Sequence, residues 1–318
     1  MSAGLRLQRV VLTGFRNYAA LTWRPAGRVT VLYGPNGSGK TNLLEAVSLL
    51  APGRGLRGAR LADLVQRGGT SWAVAARLAT PGGEVDLGTG SPPDGPLERR
   101  VFRLDGAAPR SQAEVAAVMA AVWLTPQMDR LFQEGASGRR RFLDRLVFAL
   151  EPGHAREVAA HDTAMGQRNR LLAEGGAEPS WLAGLEDSMA RHAVAAAAAR
   201  LMLVERLNAG LAAGGAGAFP AARMTLLCPI AERLRETPAL AVEDWLRAAL
   251  ADNRGADARA GSAGLGAHRA DMRLSDAESG LEAAAASTGQ QKALLIGVVL
   301  GHAALLAEAR GFAPLLLL

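Results

Sequence analysis

The feature that most constrains this chain is a short glycine-rich stretch near its N-terminus. Residues 34–41 read GPNGSGKT, which fits the pattern G-x-x-x-x-G-K-[ST]. A β-branched, apolar run precedes it at residues 28–34, and leucines with helical spacing follow it from Lys40 to Leu50. Strand, loop and helix in this order predict a phosphate-binding loop in an α/β fold; the alternative is a glycine turn that matches the pattern by chance.

Each residue type in the loop suits one part of phosphate binding. Glycines let backbone N–H groups converge on phosphate oxygens, and the N-terminus of the following helix adds a positive dipole. Lys40 is expected to reach the β- and γ-phosphates, and Thr41 to offer its hydroxyl to Mg²⁺. The predicted nucleotide-binding residues are Gly34, Pro35, Asn36, Gly37, Ser38, Gly39, Lys40 and Thr41.

Charge, cysteine content and hydropathy indicate the kind of partner and the cellular compartment. The 318 residues carry a net charge of +6 with a sequence pI near 10.5, which favours an acidic partner such as nucleic acid. The single cysteine, Cys228, excludes an intramolecular disulfide framework. No uninterrupted apolar run is long enough to span a bilayer and the N-terminus lacks a signal-peptide core, so we expect a cytoplasmic protein that does not associate with membranes.

The chain changes character along its length. Short strand-like pieces at 72–78, 83–87 and 100–104 follow the loop, whereas Ala-, Arg- and Leu-rich helical sequence begins near residue 138. Apolar residues at three- and four-residue steps between 182 and 211 predict one long amphipathic helix. We expect residues 135–256 to form an inserted helical arm; the alternative is that these helices cover the sheet of a single domain.

Three further stretches lie outside the loop. Residues 14–18 (GFRNY) place a cation and an aromatic ring on a turn, with Arg16 and Asn17 as candidate nucleotide contacts. Residues 266–271 read GAHRAD, and residues 286–292 read ASTGQQK before an apolar helix. A Ser-x-Gly-Gln turn that opens a helix suits a second phosphate contact, although Ser287 could equally be an ordinary helix cap.

Taken together, these motifs resemble the RecF family of ABC/SMC-type ATPases. FRNY, GPNGSGKTNLLEA, residues 53–65, residues 124–146, GAHRADMRL and STGQQK occur in that family's order over nearly the whole chain. The resemblance implies an ATPase lobe with a mixed sheet, formed by 1–134 plus 257–318, and the arm at 135–256. It also implies ATP and Mg²⁺ as cofactors, Gln127 as a sensor of metal and phosphate, and ATP-driven dimerisation through Ser287, Gly289 and Gln290.

The same resemblance implies a role in DNA replication and recombinational gap repair. It suggests binding to single-strand/double-strand junctions, recombinase loading, the SOS response, and RecR, RecO and RecA as partners. Ala267 and Ala286 depart from the family's usual proline and leucine. In the family, an apolar strand like 313–318 runs into an acidic pair that supports catalysis. This sequence does not contain that pair, so we expect no catalytic residue in it and little or no ATP hydrolysis.

Two arginine groups are the candidate DNA contacts. Such groups bind phosphates without reading sequence, although a charge run is more often a solvated face. The candidates are Arg54, Arg57, Arg60, Arg139, Arg140 and Arg141.

Three other interpretations of the function remain. Another SMC-like repair ATPase should carry a longer coiled coil, and a transporter ATP-binding subunit should dock on membrane helices. A non-catalytic interaction module would bind repair partners without ATP.

Overall fold

The structure is a computed structural model that describes residues 4–175 and 178–318, apart from the side chain of residue 129. These residues fall into two compact units, one reaching Thr125 and including His302–Leu318, the other Pro126–Gly301. Both units combine strands and helices. The mixture agrees with the predicted α/β class.

A five-stranded antiparallel sheet forms the centre of the first unit. Its order is β2-β1-β3-β4-β5. Alternate side chains along β1 and β3 are buried, among them Leu12 and Val74, which lie opposite each other in the ladder. The strands are β1 (Arg6–Phe15), β2 (Tyr18–Trp23), β3 (Ala73–Thr80), β4 (Gly83–Gly90) and β5 (Val101–Leu104).

Helix α1 (Lys40–Leu49) packs on this sheet through its apolar side chains. Leu43, Val47 and Leu49 are buried, which satisfies the helical spacing seen in the sequence. The unit also contains α2 (Gln112–Val118) and a parallel pair, β6 (Ala121–Trp123) with β9 (Leu315–Leu317).

The predicted strand at residues 28–34 is wrong. This segment carries no strand assignment, and the side chains of Val29, Val31 and Tyr33 are 86%, 77% and 91% exposed. A strand needs a neighbour that accepts and donates its ladder hydrogen bonds. No described strand lies alongside these residues, so alternation of apolar side chains alone does not produce one.

The second unit is built mainly from helices. Helices α4 and α5 are antiparallel, because Glu157 pairs with His192 while Arg168, later on α4, pairs with Glu186, earlier on α5. This matches the predicted long amphipathic helix. The helices are α3 (Ala136–Leu150), α4 (His154–Glu174), α5 (Pro179–Gly210), α6 (Pro229–Leu234), α7 (Ala239–Asp252), α8 (Arg254–Ala260) and α9 (Thr288–Arg310), whose last residues belong to the first unit.

A strand pair inside the second unit was not expected. β7 (Ala222–Leu227) pairs antiparallel with β8 (Asp271–Asp276), which draws the segment after residue 257 to the helical residues before it. The units therefore differ from the predicted segments 1–134 plus 257–318 and 135–256 in where residues 126–134 and 257–301 belong. The functional division into ATPase lobe and arm stays a prediction.

Helix α9 is long and apolar enough to cross a membrane by length and composition. Half of its most apolar 18-residue window is buried inside the protein. Core helices of globular proteins share this composition, so the feature is explained by packing.

Two histidines stack in the second unit around Gly266. The rings of His161 and His268 lie 5.5 Å apart, and burial lowers the pKa of His161 and lowers that of His268 to about 4. Among the described residues, His161 Nε2 and His268 Nδ1 have no hydrogen-bond partner. A Cβ on Gly266 would lie 2.6 and 2.9 Å from these two atoms, so only glycine fits between them.

This pair predicts a specific loss of stability in mild acid. Because the folded-state pKa of His268 lies below its ordinary value of 6.5, the unfolded state binds more protons between about pH 6.5 and 4. The free energy of unfolding should fall as pH decreases through this window, as measured by urea unfolding at each pH. His268→Gln should flatten the slope; an unchanged slope in the variant would contradict the assignment.

Candidate nucleotide-binding site

The backbone of the loop at residues 34–39 depends on its glycines. Gly34, Gly37 and Gly39 have φ values of 148°, 85° and 97°, all in the region that favours glycine. Leu43 N donates to the carbonyl of Gly39 at 3.0 Å, so the helix begins directly on the loop. Pro35, Asn36 and Ser38 are exposed along it. The predicted loop-to-helix junction is therefore present.

Gly39 is in close contact with the turn that joins β1 to β2. A Cβ built at Gly39 would lie 2.5 Å from the Tyr18 hydroxyl oxygen and 2.7 Å from Asn17 Nδ2. Desolvation raises the pKa of the Tyr18 hydroxyl. The FRNY turn thus packs on the backbone of the loop, and both the left-handed φ and the contact demand glycine.

The N-terminus of α1 is suited to an anion. No side chain caps it in the described structure, and its first turn contains no acidic residue. Lys40 Nζ donates to the carbonyls of Gly34 and Pro35 at 2.8 and 2.9 Å, which places an ammonium group over the loop. Free N–H groups, a helix dipole and this cation together favour phosphate.

Among the described residues of the loop and α1, the Thr41 hydroxyl is the side-chain group predicted to contact Mg²⁺. Thr41 is exposed on the first turn of α1. Among the described residues, no group of three or more His, Cys, Asp or Glu side chains could hold a metal ion. Mg²⁺ usually keeps waters and binds through substrate phosphates with few protein ligands, so a hydroxyl beside a phosphate loop fits this ion.

The guanidinium of Arg16 is held by a carboxylate that sequence analysis missed. Arg16 Nε and Nη2 donate to Glu45 at 3.0 and 2.9 Å, and Nη1 donates to the carbonyl of Asp63 at 2.9 Å. Arg16 has φ 55°, a conformation that costs a non-glycine residue roughly 1–2 kcal/mol. The bidentate pair offsets this cost and fixes the turn.

Asn17 is also part of a hydrogen-bonded network. Its Oδ1 accepts from Asn42 Nδ2 at 2.7 Å, and Asn42 Oδ1 accepts from Arg57 Nη1 at 2.7 Å. Arg57 Nη1 lies 3.1 Å from Glu45 Oε2 as well. The spacing of Asn42 and Glu45, three residues apart on α1, could have suggested that they face one neighbour.

The first arginine group is only partly free to meet a ligand. Arg57 is engaged by Glu45 and Asn42, and Arg60 pairs with Asp63 at 3.1 Å on the surface. Arg54 is exposed, and no partner is described for its side chain.

The second arginine group shows the same division on α3. Arg139 forms two hydrogen bonds to Asp271, at 2.8 and 2.7 Å, and Arg140 donates to the carbonyl of Ala270 at 2.9 Å. Burial lowers the pKa of Arg140. Arg141 is exposed, again with no described partner. In each run, therefore, internal pairing leaves one arginine with its charge uncommitted.

The signature residues lie in the second unit, where Ser287 caps α9. Ser287 N donates to Gln290 Oε1 at 2.9 Å and Gln290 N donates to Ser287 Oγ at 3.4 Å, which is a reciprocal capping box. Gly289 follows in the first helical turn. Gln127 is exposed on a short 3₁₀ turn at 126–130. Ser287 is therefore a helix cap in this structure, and its contact with phosphate stays a prediction.

The contact at Gly39 generates a prediction with an internal control. Gly39→Ala should weaken binding of a fluorescent ATP analogue by roughly tenfold or more, because it adds a steric clash to the cost of a left-handed alanine. Gly37→Ala, at φ 85° but with no atom within 4 Å of the new Cβ, should lose less. Equal losses in the two variants would show that the FRNY contact does not matter.

Comparisons with known proteins identify the family to which this chain is similar. A family model described as RecF/RecN/SMC N terminal domain matches residues 6–81. The DNA replication and repair protein RecF of Agrobacterium fabrum is 46% identical over 323 residues, covering 100% of this chain and 85% of the relative. The protein of that name from Mesorhizobium japonicum is 45% identical, covering 100% of this chain and 84% of its own.

Solved structures support the fold. Two solved structures of the recombination mediator protein RecF in the RecFOR pathway, described as RecF-ATPrS and RecF-ATP, match this chain with TM-scores of 0.87 and 0.85 at 22% sequence identity. They cover 99% and 100% of this chain and 85% of each solved chain. The predicted ABC/SMC-like P-loop ATPase fold is confirmed. With relatives this similar along its whole length, the chain belongs to the RecF family.

Proposed function

We propose that this protein binds ATP and DNA in replication and recombinational gap repair, with ATP controlling its hold on DNA. The observation that carries the proposal is the glycine loop at 34–39, braced by Tyr18 and Asn17 and followed by an uncapped helix N-terminus. The relatives' name, DNA replication and repair protein RecF, supports the repair role.

ATP binding follows from the chemistry of the loop. Lys40 would exchange its hydrogen bonds to the carbonyls of Gly34 and Pro35 for the β- and γ-phosphates, and the N–H groups of 37–41 would donate to phosphate oxygens. Thr41 contributes its hydroxyl to Mg²⁺, and Gln127 is the candidate second metal contact. Mg²⁺ held by these residues would supply positive charge to phosphates that Lys40 alone does not neutralise.

DNA binding is electrostatic in this proposal. Arg54 and Arg141 supply the exposed, uncommitted charge. Arg57, Arg60, Arg139 and Arg140 already have internal partners, so their contribution requires DNA phosphates to compete with those partners. Contacts of this kind position a duplex or junction without reading its bases.

The remaining assignments concern assembly. Ser287, Gly289 and Gln290 would meet ATP bound to a second copy, so that nucleotide drives dimerisation of ATPase lobes formed by 1–134 plus 257–318, with 135–256 as the arm. RecO and RecR are proposed as partners, because the solved relatives belong to the RecFOR pathway. On the basis of family membership, we also propose RecA as a partner, a place in the SOS response, a preference for single-strand/double-strand junctions and a cytoplasmic location.

Fluorescence anisotropy on a gapped DNA tests the proposal. At fixed salt, Mg²⁺-ATP should tighten binding of the wild type several-fold, and Lys40→Ala should remove the ATP effect while keeping basal affinity, since only the phosphate contact is lost. Identical responses of the two proteins to ATP would contradict an ATP-controlled DNA-binding role.

The salt dependence of DNA affinity, measured in the same assay, tests the two exposed arginines. Arg54→Ala and Arg141→Ala should each reduce the slope of log affinity against log salt by about 1, the value expected for one lost phosphate contact. Arg77→Ala, which removes a surface arginine paired with Asp86 on the antiparallel sheet, is the control and should leave the slope unchanged. Salt-independent wild-type affinity would refute the electrostatic assignment.

A further inference from the structure

Glu45 is a buried carboxylate on which two arginines from different loops converge. Its side chain is 2% exposed, and it lies on α1 one and a half turns beyond Lys40. Arg16 meets it from the FRNY turn through Nε and Nη2, and Arg57 meets it from residues 53–58 through Nη1. One negative charge therefore holds two segments that are far apart in sequence.

The contacts close into a ring around the start of α1. Arg57 continues to Asn42, Asn42 continues to Asn17, and Asn17 is the neighbour of Arg16 in the chain. The amide nitrogen of Asn17 lies 2.7 Å from the position of a Cβ at Gly39. The ring thus runs from a buried acid on the helix to the backbone of the phosphate loop.

We propose that Glu45 is a positioning residue for nucleotide binding: it holds the FRNY turn against Gly39 and so keeps the phosphate loop in its binding conformation. This inference rests on the proposed binding of ATP at 34–41. Glu45 itself touches no phosphate in this account. It acts through Arg16, whose left-handed backbone depends on the bidentate pair.

Charge, and not only shape, makes Glu45 necessary. Arg16 and Arg57 are 21% and 36% exposed, so both guanidiniums are partly removed from water. Without the carboxylate, two like charges would face each other across one gap and repel. Relief of that repulsion requires the FRNY turn or the 53–58 loop to move, and movement of the turn withdraws Tyr18 and Asn17 from Gly39.

The test is Mg²⁺-ATP affinity measured well below each variant's melting temperature. Glu45→Gln, which keeps the shape and removes the charge, should raise Kd roughly tenfold, and Glu45→Asp should fall between it and the wild type. Asp63→Asn is the matched control: it keeps the backbone carbonyl that accepts from Arg16, and among the described residues its carboxylate pairs with exposed Arg60. A purely structural role would lower the melting temperature of Glu45→Gln and leave Kd unchanged, which would overturn the inference.

Two further variants keep the outcome decisive. If Glu45→Gln does not fold, Asn42→Ala cuts the ring at another point while leaving both ion pairs, and should raise Kd roughly threefold; no change would overturn the inference. Lys40→Ala separates the two proposals. If Lys40→Ala binds Mg²⁺-ATP as tightly as the wild type, the proposed ATP site is wrong. If Lys40→Ala raises Kd strongly but Glu45→Gln does not change it, only the proposed role of Glu45 is wrong.

Discussion

The contact between the FRNY turn and the backbone of Gly39 organises the candidate site. A left-handed residue at the junction of loop and helix leaves the first N–H groups of α1 pointing outward, and Tyr18 and Asn17 occupy the space that any side chain at residue 39 would need. Glu45 fixes this turn from beneath by binding Arg16. The backbone suited to phosphate is therefore braced by the half-buried Tyr18 and the exposed Asn17, and through Arg16 by the buried Glu45.

The sequence predicted the parts of the molecule whose structure is local. The loop at 34–41 and helix α1 follow from glycine conformation and helical spacing, and β3, β4 and β5 follow from short apolar runs bounded by turn residues. The strand at 28–34 failed because a strand depends on a partner that spacing does not reveal. The β7 segment was missed because it lies in a stretch whose composition predicts helices. Its partner β8 is more than forty residues away, so nothing local indicates the pairing.

The arginine-rich composition shows a similar limit. A sequence gives the number of charges, whereas the structure decides which of them are neutralised by a partner. Arg139 pairs with Asp271, 132 residues further along the chain, and Arg57 pairs with Glu45, 12 residues before it, while Arg54 and Arg141 remain exposed. The three-residue spacing of Asn42 and Glu45 in TNLLEA suggests a shared neighbour, but it does not reveal which loops fold back onto α1.

The most direct test of this account is amide hydrogen exchange with and without Mg²⁺-ATP. If the phosphate loop and the FRNY turn form one nucleotide-binding element, peptides covering 34–42 and 14–20 should gain protection together, and Lys40→Ala should abolish both changes. Protection confined to 34–42 would contradict the coupling between turn and loop. The absence of protection in both segments would contradict the site.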